Sequence, residues 1–329
     1  MNVVERNVSQ YSLNTAVLFL IFNRLDTTER VFEAIREAKP PRLYISADGA
    51  RLHKDGEKEK VGAVRDFVLS NIDWECEVST LFRDNNLGCK MGVSGGISWF
   101  FEHEEEGIIL EDDVLPLPSF FYYCEELLNK YRDNKTIAMV SGCNLISNRF
   151  TADSSYFFSK YSHIWGWATW RRSWNTYDVS ISEWPTWKEK EGLAQLSDGS
   201  VGFVSYWRDI FDKVYKGGID TWDYQWMFSC WKKKSLTILP KNNLVYNLGF
   251  DSSDATHTTG GEPGYVTDSS PKDLDFPLMH PICVERSCVA DVLIDSSVFS
   301  ITWLGLIKRK LLNTFIIGNF LRKVKSVLG

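Results

Sequence analysis

Three consecutive carboxylates, Glu111, Asp112 and Asp113, directly follow the apolar run at 107–110. Adjacent acids at the end of a buried strand repel one another and lose solvation, so a cation is favoured beside them. A hard divalent ion that also binds ligand phosphates meets that need. The same acids in an ordinary solvated turn would do no chemistry, but the strand before them argues against that interpretation.

Two further residues have side chains suited to proton transfer or metal binding. Asp223 lies between aromatic residues in TWDYQWM, where a carboxylate could accept the proton of an attacking hydroxyl or simply lie on a helix surface. His257 falls in a stretch at 251–275 that is rich in Asp, Ser, Thr and Gly, and we expect this stretch to be a mobile loop over the site. Its imidazole could approach a metal or a diphosphate, or it could be a solvated loop histidine.

The elements that must position these residues alternate in type along the first third of the chain. Strands are predicted at 16–22, 42–47, 77–82 and 107–110, with helices at 26–39, 57–70 and 91–103 between them. This order is typical of a parallel sheet with right-handed crossovers, which binds ligands at the carboxyl ends of its strands. The polar residues that follow the four strands should therefore share one edge: Asn23 and Arg24, then Asp48, then Arg83 and Asn86, then the three acids.

Composition excludes several classes of protein. The chain has 329 residues, of which 44% are hydrophobic and 24% charged, with a formal net charge of −6. These values argue against a disordered chain and against a general nucleic-acid binder. The seven cysteines form no CxxC pair and indicate reduced cytoplasmic thiols. No signal peptide is visible, and the first apolar run is too short to span a bilayer.

The charge of the chain changes near its end. After Asp295 there are six basic residues and no acidic one. We expect 298–329 to form a basic amphipathic helix on an anionic membrane, with a helix packed on the body or a dimer contact as the alternatives. The remainder, 1–297, is predicted to be one domain with a nucleotide-binding half at about 14–115 and an acceptor half at about 116–297.

Four stretches give the chain a resemblance to a known family. They are VLFLIFNRLDTTERV, LYISADGARLHKDGEK, GIILEDDVLPLPSFFYY and TWDYQWM, spread over roughly residues 16–260. In this order they resemble GT-A glycosyltransferases, closest to the N-acetylglucosaminyltransferase I family and its bacterial relatives. The resemblance implies a GT-A (Rossmann-like), mostly parallel α/β sheet flanked by helices. The chain departs from the animal enzymes in lacking an N-terminal membrane anchor and in its basic C-terminal tail.

The resemblance also implies roles for residues that match the family's motifs. Arg24 would contact the nucleotide, with Asn23 beside it, and Asp48 would accept a hydrogen bond from a uracil ring. Asp113 would ligate Mn²⁺ or Mg²⁺ against the diphosphate. The remaining assignments are Glu111 and Asp112 facing the donor sugar and ribose, Asp223 as the general base although the family pattern WDDW is offset by one residue, and His257 in place of a Ser-His pair at the metal.

Other candidates rest on residue type and position. Phe22 adjoins the first strand end, and Arg83, Asn86 and Lys90 in RDNNLGCK suit phosphate or ribose contacts as well as a plain turn. The chain has 13 Trp, whose flat faces suit sugar rings but which more often lie in a core. We assign Trp165, Trp167 and Trp222 to an acceptor platform, with packing as the alternative.

Together these observations predict a metal-dependent, inverting hexosyl- or N-acetylhexosaminyltransferase. It would use a nucleotide-sugar donor, a UDP-sugar, and a glycan or lipid-linked glycan acceptor in bacterial surface polysaccharide synthesis. We expect a cytoplasmic protein, peripheral on the inner face of the membrane, with no nucleic-acid partner. The alternatives are a sugar nucleotidyltransferase, which should carry a Gly-rich basic loop after the first strand, and a non-catalytic glycan-binding module.

Overall fold

The computed structural model describes residues 13–251, 264–302 and 304–305, and its main element is an eight-stranded sheet. The strands are β1 (Val17–Ile21), β2 (Arg42–Ala47), β3 (Glu77–Phe82), β4 (Glu106–Glu111), β5 (Val114–Pro116), β6 (Ile137–Ser141), β7 (Tyr156–Ser159), β8 (Trp167–Trp170), β9 (Leu236–Pro240) and β10 (Val245–Asn247). The helices are α1 (Leu25–Ala38), α2 (Glu57–Ser70), α3 (Gly88–His103), α4 (Pro118–Tyr131), α5 (Arg171–Trp174), α6 (Trp184–Glu189), α7 (Val201–Tyr215), α8 (Asp223–Lys232), α9 (Gly264–Thr267) and α10 (Cys288–Ser297).

The strand order of the large sheet is β3-β2-β1-β4-β8-β6-β9-β7. Strands β3, β2, β1 and β4 are mutually parallel, β8 runs antiparallel between β4 and β6, and β7 runs antiparallel to β9. The predicted fold class is confirmed as far as the architecture goes: a mostly parallel α/β sheet flanked by helices. A separate two-stranded ribbon of β5 and β10 follows β4.

Helices cover both faces of the sheet because the buried strands are apolar on both sides. In β1, Val17 and Phe19 join the apolar cluster that contains Phe32 of α1, whereas Leu18 joins the cluster that contains Phe100 of α3. Parallel strands buried on two faces read as continuous apolar runs, which explains why the first four strands are visible in the sequence. Their carboxyl ends lie side by side, with Leu20 paired to Glu111.

Two predicted segments are described only in part. Of the stretch at 251–275, residue 251 and residues 264–275 are described, and Asp273 accepts a hydrogen bond from the backbone of Ser119 in the first turn of α4 (3.0 Å). The basic amphipathic tail predicted at 298–329 lies almost wholly outside the described residues. Within the described part of the chain, no helix is both long and apolar enough to cross a bilayer.

Candidate functional site

Arg24 joins the end of β1 to the acids at the end of β4. Its guanidinium donates to Asp112 and, at 3.0 Å, to Asp113 Oδ2. Asp112 also accepts from the backbone N–H of Phe22 at 3.1 Å, so its carboxylate is held by the neighbouring strand. Adjacent parallel strands bring together residues nearly 90 positions apart. The predicted contact between these two strand ends is therefore present.

Asp223 reaches the same edge from a different element, the first turn of α8. Its charge acts on Glu111, and burial together with Asp113, Asp112 and Asp223 raises the pKa of Glu111 to about 8. Burial also raises the pKa of Asp112 to about 6, although the charge of Arg24 opposes that shift. The two acidic motifs that sequence analysis singled out, 110 residues apart, thus converge in space.

The β5–β10 ribbon places an amide oxygen and a carboxylate oxygen around one glycine. Leu248 donates its backbone N–H to the carbonyl of Asp113 (2.7 Å), and Gly249 donates to Asn247 Oδ1 (2.8 Å). A Cβ at Gly249 would lie 2.6 Å from Asp113 Oδ2 and 3.0 Å from Asn247 Oδ1. A side chain at position 249 would therefore displace Asp113 from its observed position or shift the ribbon. Neither Asn247 nor Gly249 was identified from the sequence, because a three-residue strand gives no periodic signal.

Asp48 lies at the end of β2 as predicted, but its oxygens are already bonded within the protein. They accept from the backbone N–H groups of Leu87 (2.9 Å) and Gly88 (3.1 Å), and from the side-chain amide of Asn86 (3.0 Å). Asp48 therefore satisfies the free N–H groups at the start of α3, as a capping carboxylate does. Its contact with a uracil ring stays a prediction.

The residues after β3 lie around the first turns of α3. The Arg83 guanidinium lies 3.4 Å from the carbonyl of Gly92, and a Cβ at Gly95 would be 2.8 Å from it, so the side chain runs along the helix. The backbone N–H of Lys90 donates to Asp220 Oδ1 at 3.4 Å. Asp220, which precedes α8, was missed by sequence reasoning; an acid three residues before Asp223 was the available signal.

The side chain of Asn23 is hydrogen-bonded within the protein. Its amide donates to Glu57 (3.0 Å), a buried carboxylate that also accepts from the backbone of Arg51 (2.7 Å). Asn23 is itself buried, so this side chain has a structural role, and the predicted contact of Asn23 with a nucleotide sugar stays a prediction. Phe22 remains half-buried, with the Arg51 guanidinium 5.5 Å from its ring centre.

The acceptor platform is wrong for two of its three tryptophans. Trp167, in β8, has no exposed surface, and Trp222 is 2% exposed. Their rings stack at 5.7 Å in the core, where no acceptor can reach them. Trp165 is half-buried and packs edge-on against Phe250 at 5.8 Å, so it alone of the three has surface to offer. His257, predicted at the metal, lies outside the described residues.

The donor atoms around Asp113 fit a hard divalent cation. Among the described residues no group of three or more His, Cys, Asp and Glu is arranged to hold a metal ion. Mg²⁺ and similar ions, however, are commonly bound by one or two protein oxygens together with phosphates of the substrate. The oxygens of Asp113 and Asn247, which approach the same point above Gly249, provide that kind of incomplete site.

A cavity of about 1050 Å³ lies at the opposite, amino edge of the sheet. Its acids Glu104 and Glu106 are paired with Arg42 and Arg132, respectively. Since these charges are satisfied and the converging acids lie at the other edge, cavity size does not identify the candidate site here.

Comparisons with known proteins give no family assignment. No family model matches the chain, and no curated protein matches it. The resemblance to the N-acetylglucosaminyltransferase I family therefore stays a prediction from the sequence motifs.

Among solved structures, this chain is similar to several proteins at low identity. A structure of GalNAc-T7 with UDP, GalNAc and Mn²⁺ shows 12% identity and a TM-score of 0.42 over 73% of this chain and 46% of that chain. A structure of UDP-glucose pyrophosphorylase with UDP-glucose shows 11% identity and a TM-score of 0.38 over 78% of this chain and 97% of that chain. A structure of mannosyltransferase PcManGT from Pyrobaculum calidifontis with GDP-Man and Mn²⁺ shows 14% identity and a TM-score of 0.32 over 50% of this chain and 46% of that chain. This chain thus spans less than half of the mannosyltransferase and GalNAc-T7 chains, and at these scores the likeness assigns it no function.

Proposed function

We propose that this protein is a glycosyltransferase that moves a sugar from a nucleotide diphosphate, a UDP-sugar, to a hydroxyl group of an acceptor. The observation that carries the proposal is at the carboxyl edge of the sheet, where Arg24 is paired with Asp113 and the charge of Asp223 acts on the adjoining Glu111. Such an edge is where sheets of this class bind nucleotides. A transfer reaction needs groups for both the donor and the acceptor. The charged cluster at the strand ends could bind the donor, and the carboxylate from a separate helix could act on the acceptor.

In this proposal Asp113 and Asn247 would hold a divalent cation, Mn²⁺ or Mg²⁺, beside the donor diphosphate. The cation would neutralise the charge that develops on the leaving phosphate. Arg24 supplies a positive charge at the same place and is aimed there by Asp112. A guanidinium suits phosphate because its donors match the geometry of the oxygens.

The remaining residues of the edge would bind the two substrates. We assign Asp223 to accept the proton of the attacking hydroxyl. The hydroxyl oxygen bonds to the sugar carbon as the bond to the nucleoside diphosphate breaks, and this direct displacement inverts the configuration of that carbon. Glu111 would face the donor sugar. The nucleotide would lie over the loops after β1, β2 and β3, near Phe22, Asp48, Arg83, Asn86 and Lys90.

The acceptor is proposed to be a glycan or lipid-linked glycan, with Trp165 as the aromatic surface nearest the site. A hexosyl or N-acetylhexosaminyl group would be transferred, in the assembly of bacterial surface polysaccharide on the inner face of the membrane. The sugar nucleotidyltransferase alternative is not favoured, because the segment FNRLDTTER after β1 holds no Gly-rich basic loop.

A screen of nucleotide sugars by thermal shift, with and without Mn²⁺, tests the proposal. A UDP-sugar should raise the melting temperature only with Mn²⁺, since a ligand that binds the folded form stabilises it. Asp113→Ala should abolish this rise, whereas Asp153→Ala, an exposed acid elsewhere, should keep it. Asp223→Asn should keep the rise but lower transfer by about 10²-fold or more. Unchanged metal-dependent binding in Asp113→Ala, or wild-type turnover in Asp223→Asn, would contradict these roles.

A further inference from the structure

Helix α10 carries its charged residues inward. Asp291 has no exposed surface and accepts hydrogen bonds from Ser159 of β7 and from Arg286. Asp295, one turn later, accepts from the hydroxyl of Tyr161 and lies 3.7 Å from the Lys160 ammonium. Both acids of the helix are therefore used to attach it to the edge of the sheet.

The outward face of α10 is apolar instead. Val289 is 66% exposed and Val292 is 56% exposed, three residues apart and so on one side of the helix. A helix at the surface of a globular protein normally presents its charged residues to water and its apolar stripe to the core. In α10 the buried side holds the apolar Ala290 and Ile294 together with Asp291, and the exposed side has no charged residue to accompany the two valines.

The segment leading into α10 adds two more exposed apolar side chains. Met279 is 65% exposed and Ile282 is fully exposed. The backbone N–H of Ser155 donates to the carbonyl of Met279 (2.8 Å), and Arg286 forms an isolated parallel β-bridge with Phe158. The segment therefore runs beside β7 from residue 155 to residue 158, a distance of about 10 Å. Met279, Ile282, Val289 and Val292 therefore lie at one edge of the molecule, and we call them the α10 face.

The charge of the following chain indicates what covers this face. After Asp295 the sequence has six basic residues and no acidic one, interspersed with apolar residues. One exposed acid, Glu285, lies in the segment before α10, and the six positive charges outweigh it. Exposed apolar side chains that are followed in the sequence by clustered basic residues suit an anionic bilayer, whose acyl chains accept apolar side chains and whose headgroups attract basic ones.

We propose that the α10 face rests on an anionic lipid bilayer, with the basic residues at 306–329 binding its headgroups. The described fold then has a docking side of its own, at the β7 edge of the sheet, in addition to the basic segment. This inference depends on apolar burial and on charge, and it does not depend on sugar transfer. A glycan-binding module with this surface would dock in the same way.

Vesicle flotation of the full-length protein tests the inference. The vesicles are phosphatidylcholine alone, or phosphatidylcholine mixed with phosphatidylglycerol in equal parts. The wild type should float with the mixed vesicles only. The double variant Val289→Ser, Val292→Ser should bind them about tenfold more weakly, because it loses apolar surface without any change in charge.

Val78→Ser is the control, since Val78 is 40% exposed but lies on β3, at the edge of the sheet opposite to β7. It should bind like the wild type. Equal binding by the double variant and the wild type would overturn the inference. So would a wild-type dimer that the double variant converts to a monomer, because the face would then cover a second copy. The thermal shift with a UDP-sugar, measured in the same variants, separates the docking inference from the proposed chemistry. This shift should be unchanged in the variants whether or not they still bind vesicles.

Discussion

At the scale of single residues, Arg24 and a divalent cation would compete for the same oxygen. Arg24 Nη1 lies 3.0 Å from Asp113 Oδ2, the atom that we assign to the metal. Burial opposes the charge of Arg24, but Asp112 and Asp113 outweigh burial and raise its pKa. Arg24 is therefore the counter-ion that the protein itself supplies to Asp112 and Asp113. A metal bound to Asp113 would free part of the guanidinium for the diphosphate.

Replacing Arg24 should separate metal binding from nucleotide binding. In Arg24→Gln, Mn²⁺ without nucleotide should bind about tenfold more tightly, since a unit charge at this distance is worth on the order of 1–4 kcal/mol. UDP at saturating Mn²⁺ should bind about tenfold more weakly, because a charge-assisted contact is lost. Isothermal titration measures both. Arg36→Gln, at the exposed end of the same helix, is the control. Weaker binding of Mn²⁺ in Arg24→Gln would show that the two cations do not compete.

At the scale of elements, the sequence predicts those helices and strands whose buried residues form a pattern within the element itself. Strands β2 and β3 and helix α2 have the predicted bounds, and the ends of β1 and β4 lie within one residue of their predicted positions. These elements are predictable because a continuous apolar run or an amphipathic period depends only on residues close together in the sequence. The Asp112 and Asp113 partners of Arg24 follow from strand order, so that part of the site was also predictable.

The rest of the site depends on pairings between distant short segments. For Trp167 and Trp222 the sequence leaves both an acceptor platform and core packing open, and only their packing in the folded chain shows that they are buried. Asn247 reaches Asp113 through a ribbon of two three-residue strands. Such strands are too short for a pattern and are stable only with their partner.

The β5–β10 ribbon yields a prediction at this scale. In Gly249→Ala the new Cβ would lie 2.6 Å from Asp113 Oδ2, so the carboxylate or the ribbon must move. We expect loss of the Mn²⁺-dependent thermal shift with UDP and a destabilisation of about 1–3 kcal/mol, as for other overpacked sites. Gly62→Ala on α2, where nothing lies within 4 Å, should keep the shift and gain stability. A full thermal shift in Gly249→Ala would mean that Asp113 does not act from its observed position.

At the scale of the whole molecule, the proposed chemistry and the proposed docking use different parts of the sheet. The candidate site lies at the carboxyl ends of β1, β2 and β4, whereas α10 packs on β7, at the far edge beyond β8, β6 and β9. Four strand spacings separate β4 from β7, which is roughly 19 Å. Phe299 and Ile301, just after α10, pack against the apolar cluster around Trp207. The body thus extends past α10, to residues before the basic segment.

Deleting residues 306–329 should therefore remove docking and leave the site intact. Because the residues assigned to the donor and metal lie on elements between β1 and β10, the truncated protein should keep its Mn²⁺-dependent UDP thermal shift. Its own melting temperature should stay within about 4 °C of the wild type, equivalent to roughly 1 kcal/mol. Flotation with phosphatidylglycerol vesicles should fall by far more than tenfold, since all six positive charges after Asp295 are lost. Loss of the UDP shift in a truncated protein that still melts cooperatively would show that the basic segment belongs to the nucleotide site.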